Sequence, residues 1–320
     1  MPPRLPRRVR YDGPHSMALD RPSAFALTLL QNVALWEVPR LAVAAFVRWR
    51  HGGAGKKAKG VSDKEKEFVA CAPSYVLSLV HAVVISALGL RIMGQLWHAP
   101  VFDKFYINED ATPTATASFD LVERSNWLFF GYMVDDLLNV LVQYPRLGKM
   151  DMVAHHCVFI ACAILAGSTQ TFLFPFSWLL AGELSTPLLA VRWFVRQLAA
   201  MQSPSLVTLV KTLGLTGGST ARPPAVSGVA AAAATLEDAV ARSFMAVFFV
   251  VRVLVYGGGL THTLRHLFAG NLRELPTGPT AAIVVILLAG AGLNAHWFRL
   301  MLVRALGLGR RGKGKEEKKA

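Results

Sequence analysis

Asp135 and Asp136 stand side by side at the centre of the apolar run Asn126 to Tyr144, and the next apolar run opens with a second pair, His155 and His156. Carboxylates and imidazoles can move protons near neutral pH or grip a polar head group. About 20 apolar residues at 1.5 Å each span the hydrocarbon core of a bilayer, ~30 Å thick. Ionised groups inside such a run cost roughly 2.5–3.5 kcal/mol each on insertion scales, so they mark a site. Depth counted from the nearest run end adds His81, Glu183, Arg252 and Asn294 at mid-run, and Ser185 lies within a turn of Glu183. Together these residues outline a polar site inside a membrane bundle. Of them, His155 and His156 are the candidates for catalysis, as general bases.

Adjacent residues on a helix point about 100° apart, so one histidine can line a cavity while the other bonds a neighbouring helix. The pair lacks the i, i+4 spacing of a helical zinc site, and no cysteine or carboxylate box adjoins it, so no metal and no cofactor are expected. Glu183 has Pro187 four residues on, which lacks the N–H that would bond the Glu183 carbonyl; the helix should kink there and leave that acceptor free. Arg252, at similar depth in a later run, is the natural ion-pair partner of Glu183. Arg192, near a helix end, should snorkel to the interface.

The elements that carry these groups are apolar helices. The chain has 320 residues, 53% hydrophobic and only 17% charged, the composition of an all-α integral membrane protein. Its net charge of +14 gathers in short segments beside apolar runs, as expected of flanks facing anionic lipid head groups rather than of a nucleic-acid binder. Cys71, Cys157 and Cys162 are odd in number and without metal-ligand spacing, and read as small hydrophobes. Apolar segments fall at about 23–47, 70–94, 122–144, 152–170, 173–197, 240–262 and 279–305, the first weakened by Gln31, Asn32, Glu37, Pro39 and Arg40.

Residues 1–22 read as a disordered basic tail, 23–64 as a weak first span with a basic loop, and 306–320 as a second basic tail. Between the fifth and sixth spans, about 203–237 reads as a flexible Gly/Ala/Pro loop. Pro145 should close the third span, Asp151 should cap the fourth, and Gly257, Gly258 and Gly259 should end or bend the sixth. Lysine and arginine crowd 48–67 but not 95–121, which makes the first loop cytoplasmic, the second lumenal, and the C-terminal tail cytoplasmic.

The stretches GYMVDDLLNVL at 131–141, MVAHHCVFI at 152–160, GELSTPLLAVRWF at 182–194, FFVVRVLV at 248–255 and LNAHWFRLML at 293–302, with SLVHAVV at 78–84, resemble the TLC domain family in order and spacing. That resemblance covers roughly 65–305. It implies six core transmembrane helices around an intramembrane cavity, with a seventh at the N-terminus, usually in the endoplasmic reticulum. The family includes ceramide synthases, in which paired histidines activate the attacking amine; carried over, that role falls on His155 and His156. Those enzymes also carry a later His-Asp pair. Here the corresponding stretch is Glu183, Leu184, Ser185, Thr186, the pattern of the non-synthase branch.

Three functions are thus in view: lipid homeostasis through a bound membrane lipid, N-acyl transfer from acyl-CoA, and proton-coupled carriage. The C-terminal KKA resembles a dilysine retrieval signal displaced by one residue.

Overall fold

A computed structural model describes residues 8, 9, 17, 19, 21–52, 62–108, 110–201, 208, 212 and 226–306. The helices are α1 (Pro22–Gly52), α2 (Asp63–Leu96), α3 (Pro113–Val142), α4 (Met150–Thr169), α5 (Leu173–Ala181), α6 (Thr186–Ala200), α7 (Val226–Phe248), α8 (Tyr256–Phe268) and α9 (Thr277–Ala305). A 3₁₀ turn, Gly182–Ser185, joins α5 to α6, and a π-helical segment, Phe249–Val255, joins α7 to α8. Each joined pair is one long broken rod.

Among the described residues, five stretches are long and apolar enough to cross a bilayer: Asp63–Leu96, Met150–Thr169, Leu173–Ala200, Ala233–Phe268 and Thr277–Ala305. Five of the seven spans expected from sequence are thus long and apolar enough by length and composition. The two that fall short are α1, with Glu37, Arg40, Arg48 and Arg50, and α3, with Asp120, Glu123, Arg124, Asp135 and Asp136. Both nonetheless run about 45 Å at 1.5 Å per residue and pack along α2. Trp36 of α1 donates its indole N–H to Leu128 O of α3 at 3.0 Å, and α1 continues through Pro39. Large apolar side chains such as Leu30, Trp49, Val142 and Val285 face outward, a surface suited to hydrocarbon rather than water.

The rods alternate in direction, so the ends of α1, α3, α6 and α9 meet the starts of α2, α4 and α7. This is the basic end. The opposite end is closed by the α2–α3 connection, which includes a 3₁₀ turn at Phe102–Lys104. Asp103 organises it: Oδ1 accepts from Asn108 Nδ2 at 2.7 Å, and Oδ2 from the Thr112 N–H and hydroxyl at 3.4 and 3.3 Å. Phe172 N–H donates to Phe105 O at 2.6 Å, and Tyr106 bridges Thr171. Burial pulls the Lys104 ammonium below its usual range and pushes the Tyr106 hydroxyl up to about 12, with Glu274 and Asp103 adding to the latter. The N-terminal stretch expected to be disordered is held at its described residues: Val9 N–H donates to Ile107 O at 3.0 Å, Arg8 Nη1 to Thr169 O at 3.2 Å, and buried Met17 donates its N–H to Glu123 Oε2 at 3.3 Å.

Three local expectations change. The 203–237 loop is helical from Val226, because the alanines at 230–234 have the highest helix propensity of any residue. The α4 cap is Lys149, which leaves Asp151 in the first turn, where a carboxylate still complements the helix dipole. Gly257, Gly258 and Gly259 neither end nor bend their helix. A Cβ at Gly259 would overlap the Trp178 indole, so that glycine lets α8 close on α5, and the irregular stretch is the π segment just before it. Gly259→Ala should therefore lower the thermal midpoint of the purified protein. Gly257→Ala, with nothing near its Cβ, should leave it unchanged or raise it by the helix-propensity gain of up to about 1 kcal/mol. A midpoint lowered equally by both would reassign the glycines to bending.

Candidate functional site: a polar cavity at the basic end

At mid-bundle the chain breaks twice, in facing rods. Pro187 cannot continue α-helical bonding, and the chain tightens to 3₁₀ so that Thr186 N–H bonds Glu183 O. The carbonyl expected to be free is thus occupied, and Gly182 O, one residue earlier, accepts from Ser185 Oγ at 3.4 Å. Opposite, the π segment widens the ladder around Arg252, as single π turns do at functional sites. Arg252 Nε then donates to Gly182 O at 3.1 Å and to Ser185 Oγ at 3.3 Å, and Nη2 pairs with Glu183 Oε1 at 2.7 Å. Thr186 Oγ1 donates to the other Glu183 oxygen at 2.7 Å. Both side chains of the pair are 10% exposed. The Glu183–Arg252 pair expected from depth and charge is formed.

That pair floors a cavity of about 470 Å³. On one side stands His156. Its Nδ1 lies 2.8 Å from Met152 O, which can only accept, so Nδ1 carries a hydrogen. Its Nε2 lies 2.9 Å from Asp136 Oδ2. With Nδ1 protonated, a hydrogen bond at Nε2 needs one further proton between ring and carboxylate, so the pair holds a proton in common. His155 also lines the cavity, against Phe159 and Trp297 at centroid distances of 4.6 and 5.8 Å. Its Nδ1 is buried and without a hydrogen-bond partner among the described residues. The division expected for the pair holds: His156 bonds α3, and His155 points a ring nitrogen at nothing.

Asp136, His155, His156, Glu183, Ser185 and Arg252 are therefore brought together, and three other sequence candidates are not. Asp135 is buried on the α1 side of α3, facing the Glu37–Arg40 ion pair, with Asn139 Nδ2 on its own carbonyl at 2.8 Å. The 100° between neighbours on a helix separates it from Asp136. His81 lies behind Tyr132, stacked on that ring at 3.6 Å and edge-on to Trp36, with both nitrogens unbonded among the described residues. Asn294 is buried on α9 away from the lining.

Other lining groups escaped the sequence reading. Arg192 does not snorkel freely: it bonds Glu237 of α7 at 3.3 Å, as Arg196 does at 2.6 Å, while its Nε is buried without a described partner. Glu237 was invisible because its stretch read as loop. Trp297, Leu300, Met301 and Arg304 line the cavity from one face of α9. Their i, i+3, i+4, i+7 spacing was the available signal. Tyr75, stacked on Trp193 at 4.1 Å, and Asp151 complete the wall toward the basic end.

Residues 73–303 match the family model described as TLC domain. The chain belongs to the TLC domain family. No curated protein and no solved structure matches it. Within this TLC domain lie the cavity, both helix breaks and all but the last lining residue.

Because the Glu183–Arg252 pair is desolvated, Glu183→Ala or Arg252→Ala should each strand a buried charge and cost about 3–5 kcal/mol, whereas replacing both by apolar residues should cost much less. Unfolding of the detergent-solubilised single and double variants checks this. A double variant as unstable as the sum of the singles would mean that the two charges are not coupled.

Proposed function

We propose that this TLC domain protein acts in lipid homeostasis by holding a membrane lipid in the cavity, head group against its polar lining and chain along the apolar face of α9. One observation carries the reading: a single cavity joins a buried hydrogen-bonding floor, Asp136, His156, Glu183 and Arg252, to an apolar wall that includes Phe248, Trp297, Leu300 and Met301. Ligand sites have this build, mostly apolar with a few placed polar groups. In this reading α1 and α3 complete a bundle of six core helices plus an N-terminal seventh. The basic end faces the cytoplasm by the positive-inside rule, and the membrane is that of the endoplasmic reticulum.

A second reading is N-acyl transfer from acyl-CoA, as in the ceramide synthases of this family. It draws support from the His156–Asp136 contact, since a histidine oriented by a carboxylate is the arrangement of a general base. The chain has no His-Asp dipeptide, and in space His156 finds its carboxylate on α3 instead.

Lipid profiles of cells with and without the protein, paired with an acyltransferase assay of the purified chain, separate the two. Binding predicts a changed lipid profile, no N-acyl product, and His155→Ala or His156→Ala variants that retain less lipid on purification. Catalysis predicts an N-acyl product whose formation falls about 10²- to 10⁴-fold in the same variants while lipid remains bound. The first pattern is expected, and the second would replace lipid binding with acyl transfer.

A further inference from the structure

We infer that the head group held by this cavity carries a phosphate ester, so that the ligand is a glycerophospholipid. The inference rests on the lipid-binding reading above and names its substrate class. It follows from which hydrogen-bonding capacity the cavity has left over. The inner carboxylates are engaged: Glu183 takes Arg252 on one oxygen and Thr186 on the other, and Asp136 holds His156. The lining atoms that are buried and lack a partner among the described residues are Ser74 Oγ, the Nδ1 of His155 and the Nε–H of Arg192, and only the last is a charged donor. Arg304, at the C-terminal end of α9, lines the same cavity and makes no ion pair with a described carboxylate. An unbonded buried guanidinium N–H is costly, and it can be satisfied only by an acceptor. A buried guanidinium N–H on a lining that also carries the exposed Arg304 favours an anion with several oxygens, for which arginine's planar fork is matched to phosphate.

The same cavity tells the source of the phosphate. Arg192 and Arg304 share about 470 Å³ with the apolar side chains Phe244, Phe248, Trp297, Leu300 and Met301. Free phosphate would leave that wall without a partner. In acyl-CoA a long pantetheine arm stands between the phosphates and the chain, whereas in a glycerophospholipid a single glycerol joins them. Phosphate and the first methylenes of the chain therefore fit this one volume together. Glu237 pairs with Nη2 of Arg192 at 3.3 Å and leaves Nε unbonded.

The test measures binding to the full-length chain in detergent micelles, with fluorescent short-chain phosphatidic acid, the diacylglycerol of the same chains, and a long-chain acyl-CoA as probes. Phosphatidic acid should bind at least tenfold more tightly than diacylglycerol. Arg192→Gln should remove most of that preference, and Glu237→Gln, which breaks the same ion pair but keeps the guanidinium, should preserve it. Equal binding of phosphatidic acid and diacylglycerol would overturn the phosphate assignment while leaving lipid binding intact, and binding of no probe would overturn both. Acyl-CoA binding more tightly than phosphatidic acid, and weakened by Arg192→Gln, would move the phosphate to the coenzyme and overturn the glycerophospholipid. If Glu237→Gln loses the preference as fully as Arg192→Gln, the arginine acts only through packing and the inference fails.

Discussion

An arginine and a glutamate at mid-bundle, 2.7 Å apart and largely out of solvent, are the constraint around which this protein is arranged. Either charge alone would be expensive in hydrocarbon, and together they are tolerable only if the remaining donors and acceptors are met. Glu183 and Arg252 meet that condition through two breaks in regular helix. Pro187 ends α-helical bonding at the 3₁₀ turn, and the π turn sets Arg252 against Gly182 O and Ser185 Oγ. The pair, the two breaks and the cavity floor are one structural unit, because removing any of them leaves a buried polar atom unmet.

From this floor the cavity inherits its asymmetry. Toward the basic end it is lined by α4, α6 and α9, with His156 tied to α3 and His155 making no such bond through its Nδ1. Away from it the bundle is closed: Trp178 fills the space that Gly259 leaves, Tyr256 donates to Leu287 O at 2.8 Å over Gly290, and the Asp103-centred loop caps the far end.

Much of this was legible in the residues because hydrocarbon penalises charge so heavily. Depth counting alone brought Glu183 to Arg252 and put Asp136 in the same layer, with the histidine pair in the neighbouring layer nearer the helix end. It failed where rotation about the helix axis decides. Asp135 and Asp136 have the same depth, and only the packing of α1 against α3 shows which one meets the cavity. His81 has the right depth as well, yet Tyr132 stands between it and the lining. Composition misled at 226–237, where small residues signalled a loop but the alanine run forms helix and carries Glu237 to Arg192. The π segment has no composition signature, so the turn that sets Arg252 could not be read from its residues. The glycines after it drew the eye to a bend that lies elsewhere.

The central claim is that the space above the Glu183–Arg252 pair is a lipid site and not a packing defect. An experimental density map of the full chain, purified in a mild detergent without added lipid, tests it most directly. The account predicts an elongated density along Trp297, Leu300 and Met301 that ends in a compact head between Arg192 and His155, with the arginine–glutamate pair intact beneath. A map in which α9 has closed onto α4 and α6 and the volume has vanished, with the same pair still formed, would contradict it.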